Sequence, residues 1–272
     1  MTPWLNIVGA GHVGRVLGRL FAASGSLQVQ DVLTRSLASA HEAVEFMQAG
    51  HAVDAMSQMR RADIWMLAVG DDQLAPVCAQ LAATGLLSGA LVFHCSGARS
   101  SAELKAAADA GARVGSVHPV RSFADPAAVA DDFAGTFCGI EGDLAALLPA
   151  LARIGARTVV IDAAAKTVYH AAAVFASNYL VTVLDAALRA YQAAGIPEEV
   201  ARELARPLAS ETLANVFRLG PAAALSGPIA RGDIVTVAQQ QRAVDGWDGP
   251  TGVLYAALAD ATTLLAQKKR AV

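Results

Sequence analysis

The sequence predicts an α/β fold: a doubly wound, mostly parallel sheet followed by an all-helical C-terminal domain. Three observations carry this expectation. Short apolar runs alternate with helical periodicity up to about residue 162. The strand signal then stops. From residue 163 onward, Ala-rich helical segments are separated by Gly and Pro breaks. The expected division is therefore residues 1–162 for the α/β domain and 163–272 for the helical domain.

The elements follow in order. Residues 4–9 (WLNIVG) form a short apolar run ending in glycine, as a buried strand does. Val13, Val16, Leu17, Leu20 and Phe21 recur at helical spacing, and Gly25 supplies the stop. A second strand is expected at Leu27–Leu33, a helix at 37–49 and a short strand at Ala52–Asp54. Ile64–Val69 is the clearest core strand, with a helix at 73–83 behind it, capped by Asp71-Asp72. Ala90–Cys95 is another strand. Ser100 and Glu103 then read as a capping box. Arg113–Val117, Thr136–Ile140 and Arg157–Ile161 complete the strands, with a helix at 143–153. Residues 163–194 read as one helix of roughly 48 Å. It stops at Gly195, and Pro197 opens the next helix, which Pro207 should kink or end. Further breaks fall at Gly220-Pro221, Gly227-Pro228 and Gly249-Pro250.

Composition narrows the function. Of 272 residues, 54% are hydrophobic and 17% charged, which excludes intrinsic disorder. A net charge of −3 gives no footprint for nucleic acid. Cys78, Cys95 and Cys138 form no C-x-x-C pair, which suits a reducing cytoplasm without a structural zinc or a disulfide framework. Residues 74–98 and 167–184 carry no Asp, Glu, Lys or Arg. Pro76, Gly85 and Gly89 break the first, and His170, Ser177 and Asn178 interrupt the second, so both read as buried segments rather than membrane spans. The N-terminus lacks a basic region followed by a long apolar stretch, so no signal peptide is expected.

Gly9-Ala10-Gly11-His12-Val13-Gly14 is a G-x-G-x-x-G between a strand and an amphipathic helix. In that context the first glycine permits the tight turn, the second admits a pyrophosphate and the third lets helix and sheet pack closely. The helix N-terminus then offers free N–H groups and a positive dipole end to phosphate. Past the second strand lies Thr34-Arg35-Ser36, two hydroxyls and a guanidinium that suit the 2′-phosphate of NADP. Asp31 is near the distance of a ribose-binding acid, but Val32 and Leu33 continue the strand beyond it. NADPH is therefore the expected cofactor. Val69 and Gly70, just after a strand, are expected backbone contacts to it.

Other candidates sit at the same sheet edge. Ser96 and Gly97 end the fifth strand and are placed by the nicotinamide or in a tight turn. His118 and Arg121 end the sixth, with Arg121 suited to a substrate carboxylate or phosphate. On the long helix Lys166, His170 and Ser177 fall within about 40° of one face, and Asn178 lies to the side. Lys166 and His170 are the candidate general acids; His118, Arg121, Ser96, Ser177 and Asn178 are the candidate substrate contacts.

The segments GAGHVG, HCSGARS, GSVHPVRSF, YHAAAVFASNYL and ALSGPIARGD resemble a bacterial family of NADP oxidoreductases. That family joins a Rossmann-like domain to a helical domain of unknown function numbered 2520. The resemblance covers nearly the whole chain. More distantly the layout is similar to ketopantoate reductases, β-hydroxyacid dehydrogenases, pyrroline-5-carboxylate reductases and prephenate dehydrogenases. The hydroxyacid enzymes carry a catalytic Lys on the first long helix, which Lys166 matches; the Asn four residues later is His170 here.

The expected function is an NADP(H)-dependent oxidoreductase that reduces a small keto acid, ketopantoate-like, or an imine. The competing reading is a non-catalytic NADP-binding sensor. A cytoplasmic homodimer formed through the helical domain is expected, as in the resembling families, with a small-molecule substrate and neither nucleic acid nor membrane as partner.

Overall fold

The computed structural model describes residues 1–270. The chain divides into two compact units, Met1–Ser177 and Asn178–Val272.

In the first unit the expected alternation holds. Its strands are β1 (Trp4–Val8), β2 (Gln28–Leu33), β3 (His51–Val53), β4 (Ile64–Leu67), β5 (Leu91–His94), β6 (Arg113–Pro119), β7 (Phe137–Gly142) and β8 (Arg157–Val160). The helices are α1 (His12–Ala23), α2 (Leu37–Met47), α3 (Leu74–Ala82), α4 (Lys105–Asp109), α5 (Pro126–Asp131), α6 (Leu148–Arg153) and α7 (Lys166–Ala176). One eight-stranded sheet runs β3-β2-β1-β4-β5-β6-β7-β8. All neighbours are parallel except β6 and β7, so the last two strands run opposite to the rest.

The apolar runs are continuous because helices cover both faces of the sheet. In β4, Ile64 and Met66 join one core with Leu5, Ile7, Leu17, Phe21 and Phe93. Trp65 and Leu67, pointing the other way, join a second core with Leu74, Cys78, Leu81 and Val92. A buried polar link ties the sheet edge together: Asn6 Oδ1 accepts from the Asp31 N–H at 3.0 Å, and Asp31 accepts from the Arg60 guanidinium at 2.6 Å.

The chain order places the ligand crevice. It crosses from one side of β1 to the other between β3 and β4, so the carboxyl ends of β1 and β4 flank the switch point where α/β sheets bind ligands.

Local expectations fail where caps or tertiary support decide. Ser100 makes no side-chain capping bond; Glu103 pairs instead with Arg99 at 3.6 Å. Asp71 and Asp72 fall inside a 3₁₀ turn rather than capping α3. The helix expected at 143–153 is only α6. Helix α5 is new to the reading: Asp125 caps it, accepting from the N–H groups of Ala127 and Ala128, with Pro126 in its first turn. Such an Asp-Pro start was legible, but six residues are too few to show periodicity.

The second unit is helical: α8 (Asn178–Ala193), α9 (Glu198–Leu219), α10 (Pro221–Ala224), α11 (Pro228–Arg231), α12 (Ile234–Trp247) and α13 (Gly249–Arg270). The Gly-Pro breaks stand. The single helix expected at 163–194 does not: Ser177, at φ −130° and ψ −72°, separates α7 from α8. Helix α9 runs through Pro207, since one missing N–H does not end a helix with regular turns on both sides. Residues 167–184, expected to be buried, are half-buried or exposed. The stretch Ala163–Ala193 is long and apolar enough to cross a membrane by length and composition alone.

Candidate functional site

Each glycine of the G-x-G-x-x-G has a distinct reason. Gly9 has φ +83°, and a Cβ there would lie 2.6 Å from the Ala68 carbonyl oxygen. A Cβ on Gly14 would lie 2.8 Å from the Ala68 methyl carbon, so this glycine lets α1 sit close to β4. Gly11 differs. Its φ of −64° suits any residue, and a Cβ would meet nothing within 4 Å. Neither packing nor backbone geometry demands glycine at position 11.

What Gly11 faces is a cleft of about 720 Å³ at the ends of β1, β2 and β4. Gly9, Ala10, Gly11, Thr34, Arg35, Val69 and Gly70, all expected from sequence, line it together with Arg15, Ser39, Asp72, Gln73 and Val77. Gly11 also starts α1 without any side-chain cap, which leaves first-turn N–H groups for a ligand.

Three of the expected cofactor residues serve the scaffold around the cleft. The His12 Nδ1–H donates to the Phe123 carbonyl at 2.6 Å. Val13 packs on the core. Ser36 caps α2, its Oγ accepting from the Ser39 N–H at 3.2 Å. Gly14 is likewise a packing residue rather than a lining one. Arg15 was missed, because a charge on an amphipathic helix reads as solvated; here its Nε donates to the Ala10 carbonyl at 3.2 Å. Asp31 stays inside the sheet on Arg60, so the residue that follows β2 toward the cleft is Thr34.

A second cluster lies at the same sheet edge, where β5 and β6 end. Neighbouring strands are about 4.8 Å apart, so β4 and β6 are separated by roughly 10 Å. Lys166, at the start of α7, is 2% exposed. Its Nζ donates to the Ser96 carbonyl at 3.1 Å and to Ser116 Oγ, and lies 3.8 Å from Glu141 Oε1. Glu141 in turn accepts from Ser116 Oγ at 3.0 Å and Ser101 Oγ at 2.8 Å. Burial lowers the Lys166 pKa and the Glu141 charge opposes this. The amine is thus enclosed in a network across β5, β6 and β7. This corrects its expected place on a face open to substrate.

His118 and His170 are half-buried, with ring centroids 5.6 Å apart. Gly97 lies beneath both: a Cβ there would come within 2.5 Å of His170 Cδ2 and 2.7 Å of His118 Nε2. Burial, reinforced by the positive charges of His170 and Lys166, pushes His118 down to about 4. His94, fully buried and also driven to about 4 by burial, is structural: its Nδ1 accepts from the Ser96 N–H and its Nε2 meets the Ser100 carbonyl. Asp71, on the turn beside the cleft, acts electrostatically on His94, His118 and Lys166 alike.

The remaining candidates are committed elsewhere. Ser96 Oγ accepts from the N–H groups of Ala98 and Arg99 and so shapes the turn. Arg121 donates to the carboxylate of Asp132 at 2.9 Å and to its carbonyl, which corrects the expected anion anchor. The partner follows the last turn of α5, the helix the sequence reading lacked. Ser177 Oγ donates to the Ala173 carbonyl at 2.9 Å, at the end of α7. Asn178 opens α8 in the second unit.

Two family descriptions match the chain: a Rossmann-like domain over residues 4–119 and the domain of unknown function 2520 over residues 136–262. Among solved structures the chain is similar to protein TM1727 of Thermotoga maritima, at 27% identity and TM-score 0.73, covering 98% of this chain and 99% of that one. It is also similar to a Bacteroides fragilis protein provisionally named an NADP oxidoreductase, at 22% identity and TM-score 0.79, over 96% and 98% of the two chains. An imine reductase of Myxococcus stipitatus in complex with NADP⁺ follows at 19% identity and TM-score 0.66, over 98% and 93%. No curated protein matches the sequence. With both parts matched in the order in which its motifs resemble them, the chain belongs to the family that joins a Rossmann-like domain to the domain of unknown function 2520.

Proposed function

We propose that the protein is an NADP(H)-dependent oxidoreductase that reduces a small keto acid or imine. The observation that carries the reading is Gly11, a glycine required by no neighbour and facing an open cleft at a helix N-terminus. The first-turn amides of α1 suit a pyrophosphate there. Thr34, Arg35, Ser39 and Arg15 line the part of the cleft past β2, where two guanidiniums and two hydroxyls suit a 2′-phosphate. The acid that would take ribose hydroxyls in an NAD site is absent from that position, since Asp31 is held by Arg60. The similarity to proteins named for NADP points the same way.

When bound, NADPH supplies the hydride. The chain has to orient the acceptor carbon and provide one proton for the substrate oxygen or nitrogen. His170 is assigned that proton, half-exposed beside His118, which bonds the same heteroatom. Lys166 holds the β5–β7 network beneath them rather than donating. The apolar surfaces left open on the second unit, Phe217 at 86% and Ile234 at 79% among them, support a homodimer formed through that unit. Three unpaired cysteines fit a cytoplasmic location.

The test is purified protein with NADPH against a panel of small keto acids and cyclic imines, with nucleotide affinities measured alongside. NADPH oxidation on some member, tighter binding of NADPH than NADH, and loss of that preference in Arg35→Ala are expected. Equal affinities in the unmutated protein would overturn the NADP assignment. Tight NADPH binding with no turnover across the panel would favour a sensor.

A further inference from the structure

We infer that Tyr169 is a positioning residue that locks His118 in the tautomer carrying its proton on Nε2, so that a neutral N–H donor faces the substrate. The inference deepens the reductase reading and rests on it for the word substrate, although the tautomer itself does not.

The geometry is as follows. The Tyr169 hydroxyl lies 2.9 Å from His118 Nδ1, and the two rings meet edge to face at 5.6 Å. The other edge of the imidazole, Nε2 and Cε1, overlies Gly97 beside His170. Nε2 has no hydrogen-bond partner among the described residues, yet it is not sealed away from solvent. Two glycines make this possible. A Cβ on Gly97 would collide with both histidine rings, and a Cβ on Gly139 would sit on the Tyr169 hydroxyl. Neither glycine has the positive φ that would otherwise explain it. Both are cleared for side chains that gather around His118.

Protonation then narrows to one arrangement. His118 is pushed down to about 4, by burial first and then by His170 and Lys166, with Asp71 opposing, so it is neutral at pH 7. Burial raises the Tyr169 phenol, so it keeps its proton. One O–H and one ring N–H must therefore share the Tyr169–His118 contact and the open edge. A phenol O–H is a strong donor and its oxygen a weak acceptor, whereas an unprotonated imidazole nitrogen is a strong acceptor, so the phenol directs its hydrogen to Nδ1, which leaves the imidazole proton on Nε2. A neutral N–H of this kind polarises a carbonyl or imine as hydride arrives, without itself needing to titrate.

Long-range ¹H–¹⁵N NMR of the full-length protein at pH 7 reads the tautomer directly, with His118→Gln identifying the His118 signals. A protonated Nε2 and an unprotonated Nδ1 are expected. Tyr169→Phe should give a mixture of tautomers. Where that variant fails to fold, Gly139→Ala, which displaces the phenol, should give the same mixture. An Nδ1–H form in the unmutated protein, or no change in either variant, would overturn the inference. On a working substrate, Tyr169→Phe should lower kcat about 10-fold, less than the 10²–10³ that loss of a donor costs, with NADPH affinity unchanged. Because the spectrum needs no turnover, the expected tautomer with no activity on any substrate would refute the reductase and leave the Tyr169 assignment standing.

Discussion

In the first unit Leu5, Ile7, Phe21, Met66 and Phe93 have essentially no exposed surface, and every strand from β1 to β7 contributes to a core. In the second unit Phe217, Ile234, Val253, Val235 and Leu264 are 61–86% exposed, and the residues it buries are small or polar: Ala201, Thr251, Gly252 and Ala266. The same apolar, Ala-rich composition thus has two fates. From β1 to β7 the sheet buries most of its own hydrophobic residues, although Val160 of β8 and Val168 and Phe175 of α7 stay 68–80% exposed. The helices of the second unit leave their large ones open, as a surface suited to a partner does.

The largest expected effect tests that contrast. If a second copy covers the second unit, Phe217→Asp with Ile234→Asp should weaken the dimer by at least about 4 kcal/mol, or ~10³-fold, since each side chain is lost twice across a symmetric interface. Sedimentation of the variant at micromolar concentration should show monomer. The contrast breaks if the unmutated protein is already monomeric there.

Acid separates the units next. All six histidines lie in the first unit. His94 and His118 both fall to about 4 when folded, below the roughly 6.5 of an unfolded chain. The unfolded state therefore takes up protons first. The stability these groups contribute is complete above about pH 6.5 and is lost as pH falls toward 4. For His94 the loss is about 3 kcal/mol by pH 4, and for half-buried His118 it is smaller. Hydrogen exchange followed from pH 7 to pH 4.5 should lose protection in β5 and β6 before α9 and α13. Uniform loss across both units would remove the histidine explanation.

Within the first unit the cleft can be broken without the fold. Gly11→Val adds a side chain where no protein atom lies within 4 Å, so the melting temperature should move by no more than about 2 °C. NADPH affinity should fall at least ~100-fold, because the valine stands where the ligand approaches. Gly14→Val, which drives a side chain into Ala68, should instead destabilise the domain. A Gly11→Val protein that still binds NADPH would empty the cleft of its assigned ligand.

These variants also show why sequence located one site better than the other. The glycine motif is contiguous, and a strand, a tight turn and a helix start impose its spacing locally, so position and purpose can be read together. The His118 cluster is assembled from the end of β5, from β6, β7 and α7. Gly97 reads only as a pocket or turn residue after a strand and Gly139 carries no mark at all, because each is required by a side chain distant in sequence and neither has a positive φ. Tyr169, three residues from Lys166, is not among the candidates the sequence offers. Lys166 drew attention for a sound reason, the cost of burying an amine, but Glu141 and two serine oxygens meet that cost.

Arg121 gives the smallest effect and the finest test of how complete the first unit is. Its guanidinium bonds the side chain and the carbonyl of Asp132 and approaches Thr136 Oγ1 at 3.4 Å, while the Asp132 carboxylate is 86% exposed. An ion pair so open to water is worth at most about 1 kcal/mol, so Arg121→Ala should lower stability by no more than that. The arginine holds the end of α5 against the loop before β7. Substrate KM and kcat should both stay within about 2-fold of the unmutated protein. A KM raised 10-fold at constant kcat, seen with an acidic substrate and absent with a neutral imine, would mean that Arg121 leaves Asp132 to take the acid group, and the anchor expected from the sequence would be restored.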